Sequence, residues 1–115
     1  MSTALTTLTT HYDRLRNQKF TVPGVTTSEG EPLVIYFDPP TQAESIKVRN
    51  QAGTTDDAKV ALWTVIYLAK DKDGNRLFDE SAATIQALTE QVPSQIIGQI
   101  ANAILRFTPV ADLGN

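Results

Sequence analysis

The fold of this chain of 115 residues is decided by one apolar stretch, Val60-Ala-Leu-Trp-Thr-Val-Ile-Tyr-Leu-Ala69. In a helix, this stretch is apolar on more than one side. One face has the spacing of core contacts and contains Ala58, Ala61, Leu62, Val65, Ile66 and Ala69. Val60, Trp63 and Tyr67 then lie on a second face. The pattern fits a central helix packed on both sides, and it equally fits a helix whose second face meets a partner or other copies of the chain.

Before this stretch, the sequence predicts a helix and a hairpin. The helix covers residues 2–17 and has a one-sided stripe of Leu5, Leu8, Tyr12 and Leu15. Residues 19–22 and 32–37 have the composition of strands, and the loop between them is rich in turn residues, including Pro23-Gly24 and Ser28-Glu29-Gly30. An isolated antiparallel hairpin is marginal in water, so this one must pack against the helices or another subunit.

Caps and apolar spacing predict the remaining helices. Thr41 can cap a short helix through residue 49, and Thr55 can cap the central helix, which runs to about residue 70 with two aspartates in its first turn. A further helix begins near Asp79, and a last one opens with Pro93 in its first turn. The last helix has the clearest 3.6-residue period of the chain, formed by Ile96, Ile97, Ile100, Ala101, Ile104 and Leu105.

Together these elements predict one α+β domain, mainly α, with four to five helices and a small antiparallel β-hairpin in the N-terminal third. A length of 115 residues suits a single core, because two cores would each be near the size at which folding becomes marginal. The first helix and the hairpin occupy about residues 1–40, and the helical part covers about 41–108. Residues 112–115 show no pattern and are expected to fray.

The composition argues against several classes of function. Ten Lys and Arg against thirteen Asp and Glu give a net charge of −3, which disfavours an unspecific interaction with nucleic acid. The absence of cysteine excludes disulfides, thiolate metal sites and thiol nucleophiles. The first ten residues lack the basic and apolar regions of a signal peptide, and the central apolar stretch is about half as long as a membrane span. We therefore expect neither secretion nor a transmembrane segment.

The sequence also contains no recognisable catalytic constellation. His11 is the only histidine and lies beside Tyr12 and Asp13 on a predicted helix, where consecutive side chains point in different directions. There is no Gly-x-Ser-x-Gly motif and no phosphate-binding glycine loop. We predict no catalytic residue and no cofactor, and enzymatic activity is disfavoured.

The segment after the apolar stretch, Asp71-Lys-Asp-Gly-Asn-Arg-Leu-Phe-Asp-Glu80, partly matches a calcium-binding loop. With Gly74 at the invariant glycine position, Asp71, Asp73 and Glu80 fall at three ligand positions. Ala69 stands where the first carboxylate ligand should be. The segment therefore favours a reverse turn, in which Gly74 and the following asparagine tolerate positive φ, and no metal site is predicted.

The second half of the chain combines the apolar helix from Val60, the turn from Asp71 to Phe78, and an Asp-Glu start to a helix that ends in Leu88. This combination resembles the tail assembly chaperones of long-tailed bacteriophages. In that family an apolar helix runs into an Asp-x-Asp-Gly-x-x-Leu-Phe segment, followed by an acidic-capped helix, a short break and a final apolar helix. Val92-Pro93-Ser94 and the apolar residues 96–105 fill the last two places. The residues that match the motif of the turn are Asp71, Asp73, Gly74, Leu77 and Phe78.

The resemblance implies a non-enzymatic protein that assembles with itself and binds the long tape measure protein until the tail tube polymerises around it. The tail tube protein is a further potential partner, whereas nucleic acid and membrane are not. Such a protein acts in the host cell cytoplasm, is absent from the mature virion, and often has a longer frameshifted form. We place the surface for partner binding or self-association at Val60, Trp63, Tyr67, Ile97 and Ile104.

Two other classes of function remain open from the sequence. One is a small structural adaptor of the phage head-to-tail joint. The other is a helical regulatory domain that binds DNA, which the acidic charge and the lack of a basic recognition helix argue against.

Overall fold

The helices and strands follow from local sequence signals. The computed structural model describes residues 2–53 and 56–107. Along the chain these residues form α1 (Thr3–Leu15), β1 (Gln18–Thr26), β2 (Pro32–Phe37), α2 (Gln42–Ala52), α3 (Asp57–Leu68), α4 (Ala82–Glu90) and α5 (Ser94–Leu105). The predicted class, α+β and mainly α with a hairpin in the N-terminal third, is confirmed.

The first two helices begin within a residue of their predicted starts, and each has a side-chain cap, of which only Thr41 was predicted. At α1, the Ser2 hydroxyl accepts a hydrogen bond of 3.3 Å from the Leu5 N–H. At α2, the Thr41 hydroxyl accepts from the Glu44 N–H (3.2 Å), and the Glu44 carboxylate accepts from the Thr41 N–H (3.0 Å). This reciprocal capping box satisfies two backbone donors that a helix start would otherwise leave unpaired.

The starts of the other three helices differ from the prediction. Thr55, the predicted cap of α3, lies outside the described residues, and Asp56 caps that helix. α4 begins beyond Asp79 because Ser81 is its cap. Pro93 is the cap residue of α5 and not part of its first turn. The predicted fraying of residues 112–115 also lies outside the described residues.

The end of α3 is set by the hairpin. The helix was predicted to reach residue 70 but ends at Leu68, and the following Ala69 is extended. Lys70 then pairs with β2, because its N–H donates to the Tyr36 carbonyl (2.7 Å) and the Tyr36 N–H donates to the Lys70 carbonyl (2.8 Å). The C-terminal end of α3 is thereby attached to the sheet.

The hairpin has the predicted antiparallel pairing but a longer first strand. Phe20 pairs with Ile35, and the ladder becomes irregular between Thr21 and Thr26. The Pro23-Gly24 pair lies inside this irregular part of β1 and not in the connecting loop, so its assignment to the loop was wrong. The position is tolerated because proline, which has no N–H to donate, is compatible with a strand edge or a bulge.

The core lies where α3 meets α2, α5 and the hairpin. Its most buried large side chains come from all of these elements and are Val22, Ile35, Val48, Val65, Ile66 and Ile104. On the predicted core face of α3, Val65, Ile66 and the following Ala69 are buried, Ala61 and Leu62 are half-buried and pack against the core, and Ala58 is exposed. Of the described helices, none is both long and apolar enough to cross a membrane.

Candidate functional site

The candidate site is an open groove of about 710 Å³ between α3 and α5, which we call the α3–α5 groove. One wall is the first half of α3, residues 57–62, and the other is α5 along its whole length. The C-terminal end of α4 closes one side with Leu88, Thr89 and the following Val92.

Two kinds of residue in α5 form the floor and wall of this groove. Its fully apolar positions face the core and anchor the helix against α3 and β1. Beside them, Gly98 lines the groove, and a Cβ atom built there would meet no atom within 4 Å. Gly98 therefore leaves free space into which a side chain or another helix could fit.

The groove is largely uncharged. Its only charged lining residues among those described are Asp57, Lys59 and Arg106. The remaining lining residues are aliphatic, small or neutral polar, such as Leu105, Ala101 and Asn102. A surface of this kind suits an apolar or neutral helix better than a charged ligand.

One polar atom at the groove has no partner. The side-chain oxygen Oε1 of Gln99 is buried and accepts no hydrogen bond from the part of the chain that the structure describes. Gln99 lines the groove. Because this oxygen has almost no accessible surface, it is not an acceptor that an occupant of the groove could reach.

No protein-family model, no curated protein and no solved structure matches this chain.

The predicted surface residues divide between the groove and the core. Val60 lines the groove and is half-buried, and Ile97 lines its floor with 7% of its surface exposed. Ile104 is fully buried with 0% exposed, so its assignment to a binding surface was wrong. The reason is that Ile104 faces the shared core of α3, α5 and the hairpin, and the apolar period of α5 serves this core first.

Trp63 and Tyr67 lie apart from the groove and contact each other, with ring centroids 5.5 Å apart. Both rings are half-buried against the core. Two cations also lie over the Tyr67 ring. Lys47 Nζ, from α2, is 4.6 Å from the ring centroid, and the Arg76 guanidinium carbon is 5.1 Å from it. At Tyr67, the second face of α3 therefore packs within the chain. For this residue, the contacts favour a central helix packed on both sides over a face that meets a partner.

The motif segment after α3 forms the predicted reverse turn. Asp71 and Asn75 are joined by a backbone hydrogen bond of 2.8 Å, and Gly74 has a φ of 88°. The Asp71 carboxylate accepts hydrogen bonds from the Asp73 and Asn75 N–H groups at 2.9 and 3.0 Å. Of the two residues predicted to tolerate positive φ in this turn, only Gly74 adopts it. Asn75 does not, since Asn17 is the only described residue other than glycine with positive φ.

The structure does not bring the three candidate calcium ligands together. Glu80 pairs with Arg76 at 3.3 Å, and Asp71 is occupied by the turn itself. In the described ranges, no group of three or more His, Cys, Asp or Glu residues is arranged to hold a metal ion. Within the same turn segment, Leu77 is exposed, whereas Phe78 packs against the core.

A polar cluster that the sequence did not predict lies at the opposite end of α3 from the groove. Asp38 accepts hydrogen bonds from the Asn17 N–H (2.8 Å), Arg16 Nε (3.3 Å) and Lys70 Nζ (3.4 Å). Burial raises the pKa of Asp38, but the bond from Asn17 and the bond and charge of Lys70 outweigh it, so the pKa lies below its ordinary value. The cluster ties the base of α1 to the end of α3.

α1 itself has no buried residue. Leu5 and Leu8 are 50% and 66% exposed, and only Tyr12 and Leu15 near the base are half-buried. Burial and the nearby charges of Glu44 and Asp38 raise the pKa of Tyr12. The outer half of α1 thus presents an apolar stripe that the described part of the chain does not cover. His11 is exposed on the same helix.

Proposed function

We propose that this chain is a non-enzymatic tail assembly chaperone of a long-tailed bacteriophage. It self-associates and holds the tape measure protein in solution in the host cell cytoplasm until the tail tube polymerises. It binds one apolar helical segment of the tape measure protein in the α3–α5 groove, and it is not retained in the mature virion.

The observation that carries this proposal is the shape and chemistry of the groove. The wall that α5 provides is 12 residues long, about 18 Å at 1.5 Å per residue, which accommodates about three turns of a bound helix. Bound helices commonly insert apolar side chains spaced three and four residues apart into such a groove. Gly98 allows close approach of the bound helix.

The role also fits the solution chemistry of the chain. A long helical protein made before its tube exposes apolar stripes, which associate with one another unless another apolar surface covers them. The groove provides that surface, and the net charge of −3 keeps this chain away from its isoelectric point, about 5.0, at neutral pH.

Co-expression with a candidate tape measure protein, encoded in the same phage, tests the proposal. We expect the tape measure protein to be soluble and to co-purify with this chain, and to aggregate without it. Gly98→Phe should abolish co-purification, because the new side chain fills the groove while its Cβ position is free of contacts.

The matched control is Ile46→Glu, which changes an exposed apolar residue of α2 outside the groove. It should leave co-purification unchanged. Equal solubility of the tape measure protein with and without this chain would contradict the proposal. Retention of this chain in purified virions would instead support the structural adaptor.

A further inference from the structure

Two apolar surfaces, the outer half of α1 and the α3–α5 groove, are not covered by the residues that the structure describes. The base of α1 is attached through Asp38 to Lys70, just beyond the C-terminal end of α3. The α3–α5 groove is formed by the N-terminal half of α3. No residue of α1 lines the groove of its own chain.

The two surfaces match in length. α1 has 13 residues and α5 has 12, so both are about 18 to 20 Å long at 1.5 Å per residue. The exposed side chains of Leu5 and Leu8 are three residues apart, which is the spacing of anchors in a helix that lies in a groove.

The two surfaces also match in charge and polarity. Residues 2–10 carry no charged side chain, and the charged lining residues of the groove, among those described, are only Asp57, Lys59 and Arg106. A charged occupant would lose solvation in such a groove without finding paired partners. The hydroxyls of Thr6, Thr7 and Thr9 beside the leucines of α1 donate to carbonyls at the start of the same helix, so this face enters the groove without adding a charge.

We propose that α1 of one copy binds in the α3–α5 groove of a second copy, and that this contact is the self-association interface. The inference rests on the proposed function for the groove as a binding site and names the surfaces through which the chain self-associates. The contact joins two different surfaces, so two kinds of closed assembly can form. Either two copies each place α1 in the groove of the other, or several copies form a ring in which each α1 binds the next groove. It also makes α1 a competitor of the tape measure helix for the same groove.

The absence of cysteine in the chain allows a direct test by cross-linking. Leu5→Cys, Leu8→Cys and Gly98→Cys each introduce one thiol at a position where the structure offers space or exposure. We mix a tagged Gly98→Cys chain with an untagged Leu5→Cys or Leu8→Cys chain, oxidise the mixture, and determine the covalent products by mass. We expect a mixed disulfide from at least one of the two pairs.

The matched control is Ile46→Cys, whose side chain is 47% exposed on α2 and which should form no mixed disulfide with Gly98→Cys. Light scattering provides the second measurement. The unmodified chain should exceed its monomer mass of 12.6 kDa at high concentration, and both Leu8→Glu and Gly98→Phe should return it to that mass. Both variants should have the same circular dichroism spectrum as the unmodified chain, which would show that they are folded.

Three results would overturn the inference: a monomer at every concentration, disulfides only between α1 helices, or a Leu8→Glu chain that still associates. These failures are separate from failure of the proposed function. Leu8→Glu leaves the groove open, so it should still co-purify with the tape measure protein, and more of the groove should be available to it. Gly98→Phe should lose both interactions.

Discussion

Arg76 stabilises the end of α3 from outside the helix. Its Nε and Nη2 donate to the Ile66 carbonyl at 3.3 and 3.1 Å, one of the last carbonyls of the helix, which have no partner within it. The same guanidinium lies over the Tyr67 ring. Arg76→Ala should therefore lower the free energy of unfolding by about 1.5 to 3 kcal/mol, the usual contribution of a hydrogen bond from a charged group. Urea denaturation measures the change.

Two further variants separate this role from simple charge. Arg76→Lys keeps the charge but lacks the planar fork of donors, so it should restore only part of the lost stability. Glu80→Gln removes the exposed ion pair with Arg76 and should cost less than about 1 kcal/mol. If Glu80→Gln lowered the free energy of unfolding as much as Arg76→Ala, the stabilisation by Arg76 would come from the ion pair and not from the hydrogen bonds to the Ile66 carbonyl.

Asp79 is a residue whose ionisation should be visible in the stability of the chain. It accepts hydrogen bonds from the Ser81 and Thr84 hydroxyls, both at 2.6 Å, and these bonds lower the pKa of Asp79 to about 2. The unfolded value is about 3.9. Because the pKa is lower in the folded state, the stabilisation is complete above this unfolded value and is lost as the pH falls through about 2.

We therefore expect Asp79→Asn to lower the melting temperature at pH 6, and this difference to shrink as the pH approaches 2. Thermal denaturation across that range is the measurement. Asp73→Asn, at an exposed aspartate of the neighbouring turn, is the control. A difference for Asp79→Asn that stays constant with pH would contradict the assignment.

At the scale of the elements, the capping box is the device that fixes the start of α2. Thr41→Ala removes the hydroxyl that accepts from the Glu44 N–H and should destabilise the chain by about 0.5 to 2 kcal/mol. Thr41→Ser retains the acceptor and should lose much less. Equal losses in the two variants, measured by urea denaturation, would indicate that the threonine methyl group and not the cap is important.

The elements could be predicted from the sequence because each is determined by nearby residues. The capping box of α2 and the apolar spacing of α5 are local signals, and both helices form close to the predicted ranges, although α2 continues beyond residue 49 to Ala52. The predicted bounds were wrong where a segment distant in the sequence determines where a helix or strand ends. α3 ends at Leu68 because Lys70 pairs with Tyr36, which is more than thirty residues earlier in the chain. Pro23 lies within β1 because pairing with β2 tolerates an irregular edge.

At the scale of the whole molecule, the groove could not be predicted because it depends on how α3, α4 and α5 are placed relative to one another. The sequence identified Val60 and Ile97, which do line the groove. It also identified Ile104, because an apolar period alone cannot separate a side chain that faces the core from one that faces a groove. Gly98 gave no sequence signal, since its role is the space that it leaves.

The single-domain organisation remains a prediction, and the position of Ile104 allows a test of it. α5 packs on α3 and on β1, and the Phe37 and Phe107 rings, from β2 and from beyond α5, meet edge to face with centroids 5.9 Å apart. If the hairpin and the helices unfold together, a cavity at Ile104 must weaken both. Ile104→Ala should therefore lower the free energy of unfolding by about 2 to 5 kcal/mol.

Hydrogen exchange resolves where that loss occurs. In one cooperative domain, Ile104→Ala should reduce protection by the same free energy in the slowest-exchanging amides of β2, α3 and α5. Ile46→Ala, at an exposed position of α2 outside the groove, should leave these amides unchanged. Loss of protection confined to α5, with β2 unaffected, would mean that the hairpin and the helical part unfold separately.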